Sequence, residues 1–248
     1  LDLPLSGLSI AFREPDGEDE TLFAELAPDR PAAAGVVLLQ RLGRTRESGN
    51  FDPGCLALTD FEAALVALRC HLLGPEASSE ASCPACGERV ELGFSFDSLA
   101  EAAQPRRMAG ATWEAGGGGG EIDGVRFRLP TAADACACEG RPDAPARLLE
   151  LCAGHLADRR LRRRVERAMS GFAPLLSRIV AAPCAGCSAI LRTLIHVPTF
   201  VVSEIAWGAR AVFEEVHLLA SAYGWREADI LALPRARRRR YAARLRAA

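Results

Sequence analysis

A mainly helical α+β fold is predicted for this 248-residue chain by three features of its sequence. Two Cys-x-x-Cys pairs, Cys83/Cys86 and Cys184/Cys187, stand far apart. Short runs of alternating apolar residues lie between them, and from about residue 145 apolar residues recur at three- and four-residue spacings. Cysteine turns that lead into short strands have the shape of a zinc-ribbon knuckle, so a small zinc-ribbon-like β region is expected before a helical carboxyl-terminal half.

Three units follow in order. Residues 1–54 carry Asp2, Glu14, Asp16, Glu18, Asp19, Glu20, Glu25 and Asp29 against few arginines, and read as an acidic, partly loose segment. The second unit, 55–187, opens on a helix: Thr59 and Glu62 form a capping-box pair, Phe61, Leu65, Leu68 and Leu72 share a face, and Gly74 ends it. After Cys83 and Cys86, residues Val90, Leu92, Phe94 and Phe96 alternate as a strand. The five glycines at 116–120 read as a flexible linker, and Val125, Phe127 and Leu129 form a second strand closed by Pro130. Leu148, Leu149, Leu151 and Cys152 begin a helical pattern, and Val165, Met169, Phe172, Leu176 and Ile179 predict another helix with a basic start from Arg159 to Arg167. The third unit, 188–248, contains a long helix through Ile205, Ala209, Val212, Val216, Leu219 and Tyr223 that stops at Gly224. A short helix over EADILAL follows, and Pro234 begins a last, arginine-rich one.

Composition narrows the function. Hydrophobic residues make up 49%, charged residues 25% and aromatics 6%, which excludes a disordered or collagen-like chain. The net charge of -2 argues against a surface built wholly for nucleic acid. Every basic side chain is arginine, and without lysine neither a Walker-type phosphate loop nor Schiff-base chemistry is available. No apolar run approaches the roughly 18 residues of a membrane span and the start turns acidic, so a cytoplasmic protein is expected, with no membrane partner. His71, His155, His196 and His217 are dispersed, no nucleophile elbow is present, and no enzyme is expected.

Nine cysteines in a chain of this length favour reduced thiols or metal ligation over a disulfide framework. Cys83, Cys86, Cys184 and Cys187 together make one four-cysteine site suited to structural Zn²⁺, with unligated thiols or a redox pair as the other readings. The gap between the pairs is far longer than in a compact ribbon. Cys136 and Cys138 read as helix-start residues, or as competing ligands.

Near the carboxyl end, EEVHLLASAYGWREADILALPRARRRRYAARL spans 214–245. Its His217, Leu219, Ala220, Tyr223, Trp225, Ile230, Leu231, Leu233, Arg239 and Tyr241 match the pattern of a helix ending in His-x-Leu-Ala-x-x-Tyr-x-Trp, then Glu-Ala-x-Ile-Leu-Ala-Leu, then basic residues and a tyrosine. This resembles the tail signature of the T4-type baseplate hub assembly chaperones, a family from phages and phage-tail-like contractile injection systems. The resemblance extends over about 55–246 and includes the first cysteine pair, an element like GVRFRLPT at 124–131, and the second pair before a long helix. It departs after Cys187, where members carry a Phe-Asp that this chain retains only as Phe96-Asp97.

The resemblance implies a bacterial, non-enzymatic baseplate hub assembly chaperone or minor baseplate subunit, either cytoplasmic or incorporated in the tail-like particle. Its partners would be hub or spike proteins, and the part between the cysteine pairs would be an insertion stapled by zinc. Independently of the family, Tyr223, Trp225 and Tyr241 beside Arg237, Arg238, Arg239 and Arg240, with His217 on the preceding helix, have the chemistry of a partner-binding surface. The alternative is a zinc-ribbon nucleic-acid binder using its arginine helices, which is less favoured because only Tyr241 interleaves with the arginines. Oligomeric state stays open, since the 205–223 stripe suits a core helix or a dimer seam.

Overall fold

The amino-terminal segment is bound to the rest of the molecule through its acidic residues. In the computed structural model, which describes residues 1–45, 51–114 and 118–247, this segment forms β1 (Ile10–Phe12), α1 (Gly17–Ala24), α2 (Pro31–Leu42) and β2 (Gly43–Thr45). Strands β1 and β2 pair antiparallel. Asp16 and Asp19 close a capping box at the start of α1, and the buried Asp19 carboxylate also receives Arg13 at 2.5 Å and Arg41 at 3.0 Å. Burial alone would raise the Asp19 pKa, but the bonds from Arg13 and the Asp16 backbone outweigh it and hold it below the usual range. The expectation of a partly loose segment is therefore corrected for the described residues, because Leu38, Leu39, Leu42 and Phe23 are core.

A single 3-10 turn at Pro53–Cys55 leads into α3 (Leu58–Leu73). Pro31 fixes the first turn of α2, and α2 meets α3 at Gly35, where an added Cβ would lie 2.7 Å from the Phe61 ring. Thr59 and Glu62 lie inside α3, whose cap is Ala57, so they do not form the expected capping box. Thr59 donates its hydroxyl to the Pro174 carbonyl, and the buried Glu62 accepts from the Leu176 and Ser177 backbone N–H groups at 2.7 and 2.9 Å. Burial pushes the Glu62 carboxyl up against these donors. Gly74 ends α3 at φ +87°, as its position predicts.

Strands β3 (Glu76–Ser82) and β4 (Arg89–Ser95) form the first cysteine hairpin and run into α4 (Phe96–Ala102). An excursion follows, with a three-stranded sheet of β5 (Ala111–Trp113), β6 (Gly119–Ile122) and β7 (Val125–Arg128), then α5 (Ala132–Cys138), α6 (Ala144–Ala153) and α7 (Arg159–Phe172). It has its own core of Ile122, Phe127, Leu149, Val165 and Met169, with Trp113 stacked on Phe172 at 3.9 Å. The glycine run is only in part a linker: Gly119 and Gly120 belong to β6, where a Cβ would strike the Phe127 and Thr112 carbonyls, while Gly116 and Gly117 lie outside the described residues. Cys136 and Cys138 both lie in α5, whose start is capped by Thr131 and Asp134.

The helix predicted through Ile179 ends at Phe172 instead, because Ala173-Pro174 cannot continue it. Residues Arg178–Pro183 form β8, paired with β9 (Ile190–Ile195) in a second cysteine hairpin. The long helix predicted through Ile205 to Tyr223 is likewise broken at Arg210 into α8 (Val197–Ala209) and α9 (Ala211–Tyr223), followed by α10 (Glu227–Leu231) and α11 (Arg235–Arg246). The main core takes Leu38 and Leu39 from α2, Phe61, Leu65 and Leu68 from α3, and Val197, Val201 and Val202 from α8. It thus crosses both boundaries, 54/55 and 187/188, that the linear sequence suggests.

A buried ion network fastens α11 to α1 and α9. Arg238, fully buried, reaches Glu215 at 2.6 Å and contacts Glu20, which Arg235 also approaches at 2.7 Å. Removing one partner of such a network strands the other charges, so Arg238→Ala is expected to cost about 3–5 kcal/mol in urea unfolding, while exposed Arg240→Ala stays within about 0.5 kcal/mol. A second prediction concerns acid. Arg128 holds Asp134 down to about 2 against burial, below an unfolded value of about 3.9, so this carboxylate adds stability above the unfolded value and loses it as pH falls through the folded one. Thermal melts across that window should show a slope in the wild type that is reduced in Asp134→Asn.

Candidate metal centre

Each Cys-x-x-Cys stands at the tip of a hairpin, and the two tips have the same backbone. Cys83 N–H bonds the Glu88 carbonyl and Gly87 N–H returns to the Cys83 carbonyl, both at 2.8 Å. In the second hairpin Cys184 N–H bonds the Ala189 carbonyl at 2.8 Å and Ser188 N–H the Cys184 carbonyl at 2.9 Å. The residue after each second cysteine is left-handed, Gly87 at φ +78° and Ser188 at φ +62°. The second knuckle therefore has the geometry of the first although it lacks the Phe-Asp that follows β4. Val197 and Pro198 stand where Phe96 and Asp97 stand in the first, and His196, like Ser95 before α4, caps its helix, here by accepting from Thr199.

The hairpins pack by their inner faces, with Cys83, Leu92, Cys184 and Leu191 in a small core. This brings all four predicted sulfurs within 4.8 Å of one another, with Cys83 to Cys187 and Cys86 to Cys184 both at 3.6 Å. A tetrahedral ion with metal–sulfur bonds of about 2.3 Å needs sulfurs about 3.8 Å apart, and a disulfide needs about 2.05 Å. The cluster fits the ion. Cys136 and Cys138 are not part of it.

Electrostatics agree with the geometry. Backbone N–H groups of Ala85 and Cys86 pull the Cys83 thiol down to about 7, so one thiolate forms readily. The Glu88 N–H favours a thiolate at Cys86, but the neighbouring thiols of Cys187 and Cys184 outweigh it and push it up to about 12. Four thiolates at these distances repel unless a cation lies among them. These four cysteines could hold a metal ion.

The predicted partner-binding residues divide. Tyr223, Trp225 and Tyr241 come together as one cluster, with ring centroids 5.0, 5.4 and 6.1 Å apart. His217, Arg237, Arg239 and Arg240 are exposed beside or near it. Arg238 is a correction: it is buried between Glu20 and Glu215 and unavailable to a partner, because the inward face of α11 needs a counter-charge for those carboxylates. Sequence reasoning missed Trp207, 73% exposed under the Arg210 guanidinium, and exposed Phe213. Both lie off the apolar stripe of 205–223, which is the signal that marks them.

No family model, curated protein or solved structure matches the chain. Among the described residues, no helix is long and apolar enough to cross a membrane.

The two turns make a paired prediction. Gly87→Ala places a Cβ at a left-handed position and should destabilise by about 1–2 kcal/mol, whereas Ser188→Gly relieves the same conformation and should leave stability equal or raise it by up to about 1 kcal/mol. Thermal unfolding of the two variants side by side tests both.

Proposed function

We propose that this chain is a non-enzymatic assembly chaperone or minor subunit of the baseplate hub in a bacterial contractile, phage-tail-like injection particle, acting through protein contacts and braced by a structural zinc ion. The observation that carries the reading is the Tyr223–Trp225–Tyr241 cluster, whose Tyr223 and Trp225 rings are exposed and whose half-buried Tyr241 lies on the same helix as exposed Arg237 and Arg240. It lies in the stretch whose sequence resembles the hub chaperones, and aromatic rings next to arginines are the commonest anchors of protein interfaces. Zinc is the metal that a set of four cysteine sulfurs suits best, and four thiolates close its shell, which fits a staple rather than a catalyst.

A second reading rests on α7. Arg159, Arg160, Arg163 and Arg167 are exposed and carry no ion pair among the described residues, and three of them crowd the first turns of the helix against its dipole. Such a face suits phosphates, so binding of RNA or DNA through it is the alternative. It requires retardation of an oligonucleotide that weakens steeply with salt.

The zinc predicts one equivalent per purified chain by elemental analysis, and Cys83→Ser with Cys86→Ser should abolish it and lower the melting temperature markedly, because structural zinc supplies folding free energy. Full stability in the metal-free double variant would refute the staple. The function predicts co-purification with hub or spike proteins on co-expression. Arg237→Glu with Arg240→Glu, both at exposed positions, should weaken that association by about 30-fold or more while the metal and melting temperature persist. Failure of the wild type to retain any hub or spike protein would refute the assembly role.

A further inference from the structure

The two cysteine hairpins share a backbone and contrast in the polarity of their outer faces. Their inner faces meet around the sulfurs, and their outer faces point to solvent. In the first hairpin the outward positions include Ser78, Glu80, Arg89 and Gly93; counted from the cysteines, the same positions in the second are Ile179, Ala181, Ile190 and Leu194. Ile179, Ile190 and Leu194 are 60%, 63% and 62% exposed, and Ile179 lies directly across the ladder from Leu194. Glu91 of the first hairpin is matched by Arg192, which sits between Ile190 and Leu194 on the outer face and has no ion pair among the described residues. The polar first hairpin shows that the knuckle does not require an apolar outer face, so that face has a use of its own.

We propose that the outer face of β8–β9 binds a short amphipathic segment of a partner protein, with apolar residues against Ile179, Ile190 and Leu194 and a carboxylate against Arg192. Size and charge select this occupant. The three side chains with their neighbours offer roughly 300–400 Å², well short of the ~800 Å² per partner of a stable protein–protein interface. A second copy docked symmetrically would also bring Arg192 near Arg192, a like-charge contact that disfavours association. A single segment covers the patch and supplies the missing counter-charge. This surface is separate from the Tyr223–Trp225–Tyr241 cluster, and the proposal stands whether or not the hub reading does.

The test pans a displayed library of random peptides on the metal-loaded full chain and counter-selects on the Ile190→Ser/Leu194→Ser variant. That variant changes only solvent-facing side chains, and its metal content and melting temperature serve as controls on folding. The expected result is enrichment of apolar peptides carrying Asp or Glu. A selected peptide should bind the wild type at least about tenfold more tightly than the double variant, and Arg192→Glu should reverse a preference for that peptide over its lysine analogue. The proposal is overturned if no peptide is enriched, if enriched peptides bind the double variant equally, or if charge at 192 does not alter the preference. Concentration-dependent dimerisation of the wild type that disappears in the double variant would also overturn it, in favour of self-association.

Discussion

Two cysteine turns widely separated in sequence meet at one cluster of four sulfurs, and everything between them must leave from and return to the same place. After β4 the chain turns into α4, builds a second hydrophobic core from β5–β7, α6 and α7, and comes back at β8. The return is held by Glu62 of α3, which accepts the Leu176 and Ser177 N–H groups, while the Ser177 hydroxyl accepts from Val197 at the start of α8. The helix that precedes the first hairpin thereby fixes where the second hairpin begins and where the helix after it starts. A long gap between ligand pairs carries a large loop-closure cost, and this anchoring lessens the part that a metal alone would have to offset.

Buried carboxylates recur as fasteners of backbone. Asp60 accepts the N–H groups of Leu5 and Ser6 at 2.8 and 2.9 Å, and Glu139, at the end of α5, accepts those of Ala32 and Ala33 at the uncapped start of α2. Glu20 and Glu215 hold the arginines of α11. Where the donor is buried, as at Ala32 and Arg238, it would otherwise lack a partner, a deficit of about 1–3 kcal/mol per group, which the carboxylate removes. The acidic character of this chain is thus partly internal.

Exposed aromatic and large apolar side chains gather on the carboxyl-terminal half. The break at Arg210 turns Trp207 and Phe213 to solvent, Gly224 in the left-handed region ends α9 and lets Trp225 stack on Tyr223, and α11 brings Tyr241 onto both rings. The second hairpin adds its apolar outer face. On the proposed function, stacked aromatic rings and a cysteine-braced hairpin would lose little side-chain or backbone freedom on binding a protein.

The sequence by itself determined the four cysteines as one site, the α+β class, the strands after Cys86 and before Pro130, and the helix ends at Gly74 and Gly224. These rest on local chemistry: thiolate spacing, alternation, and the φ that glycine alone adopts cheaply. Tertiary structure decided the rest. Ile179 fits a helical period in the chain but lies in β8, because its strand partner is β9 and periodicity does not encode pairing. Glu62 has the spacing of a cap, yet its acceptors' partners lie more than a hundred residues away. Arg238 is one of four consecutive arginines, and only the packing of α11 against Glu20 and Glu215 makes it interior while its neighbours stay in water. A charge is read from sequence as solvated until a buried counter-charge is known, and that knowledge comes only from long-range contacts.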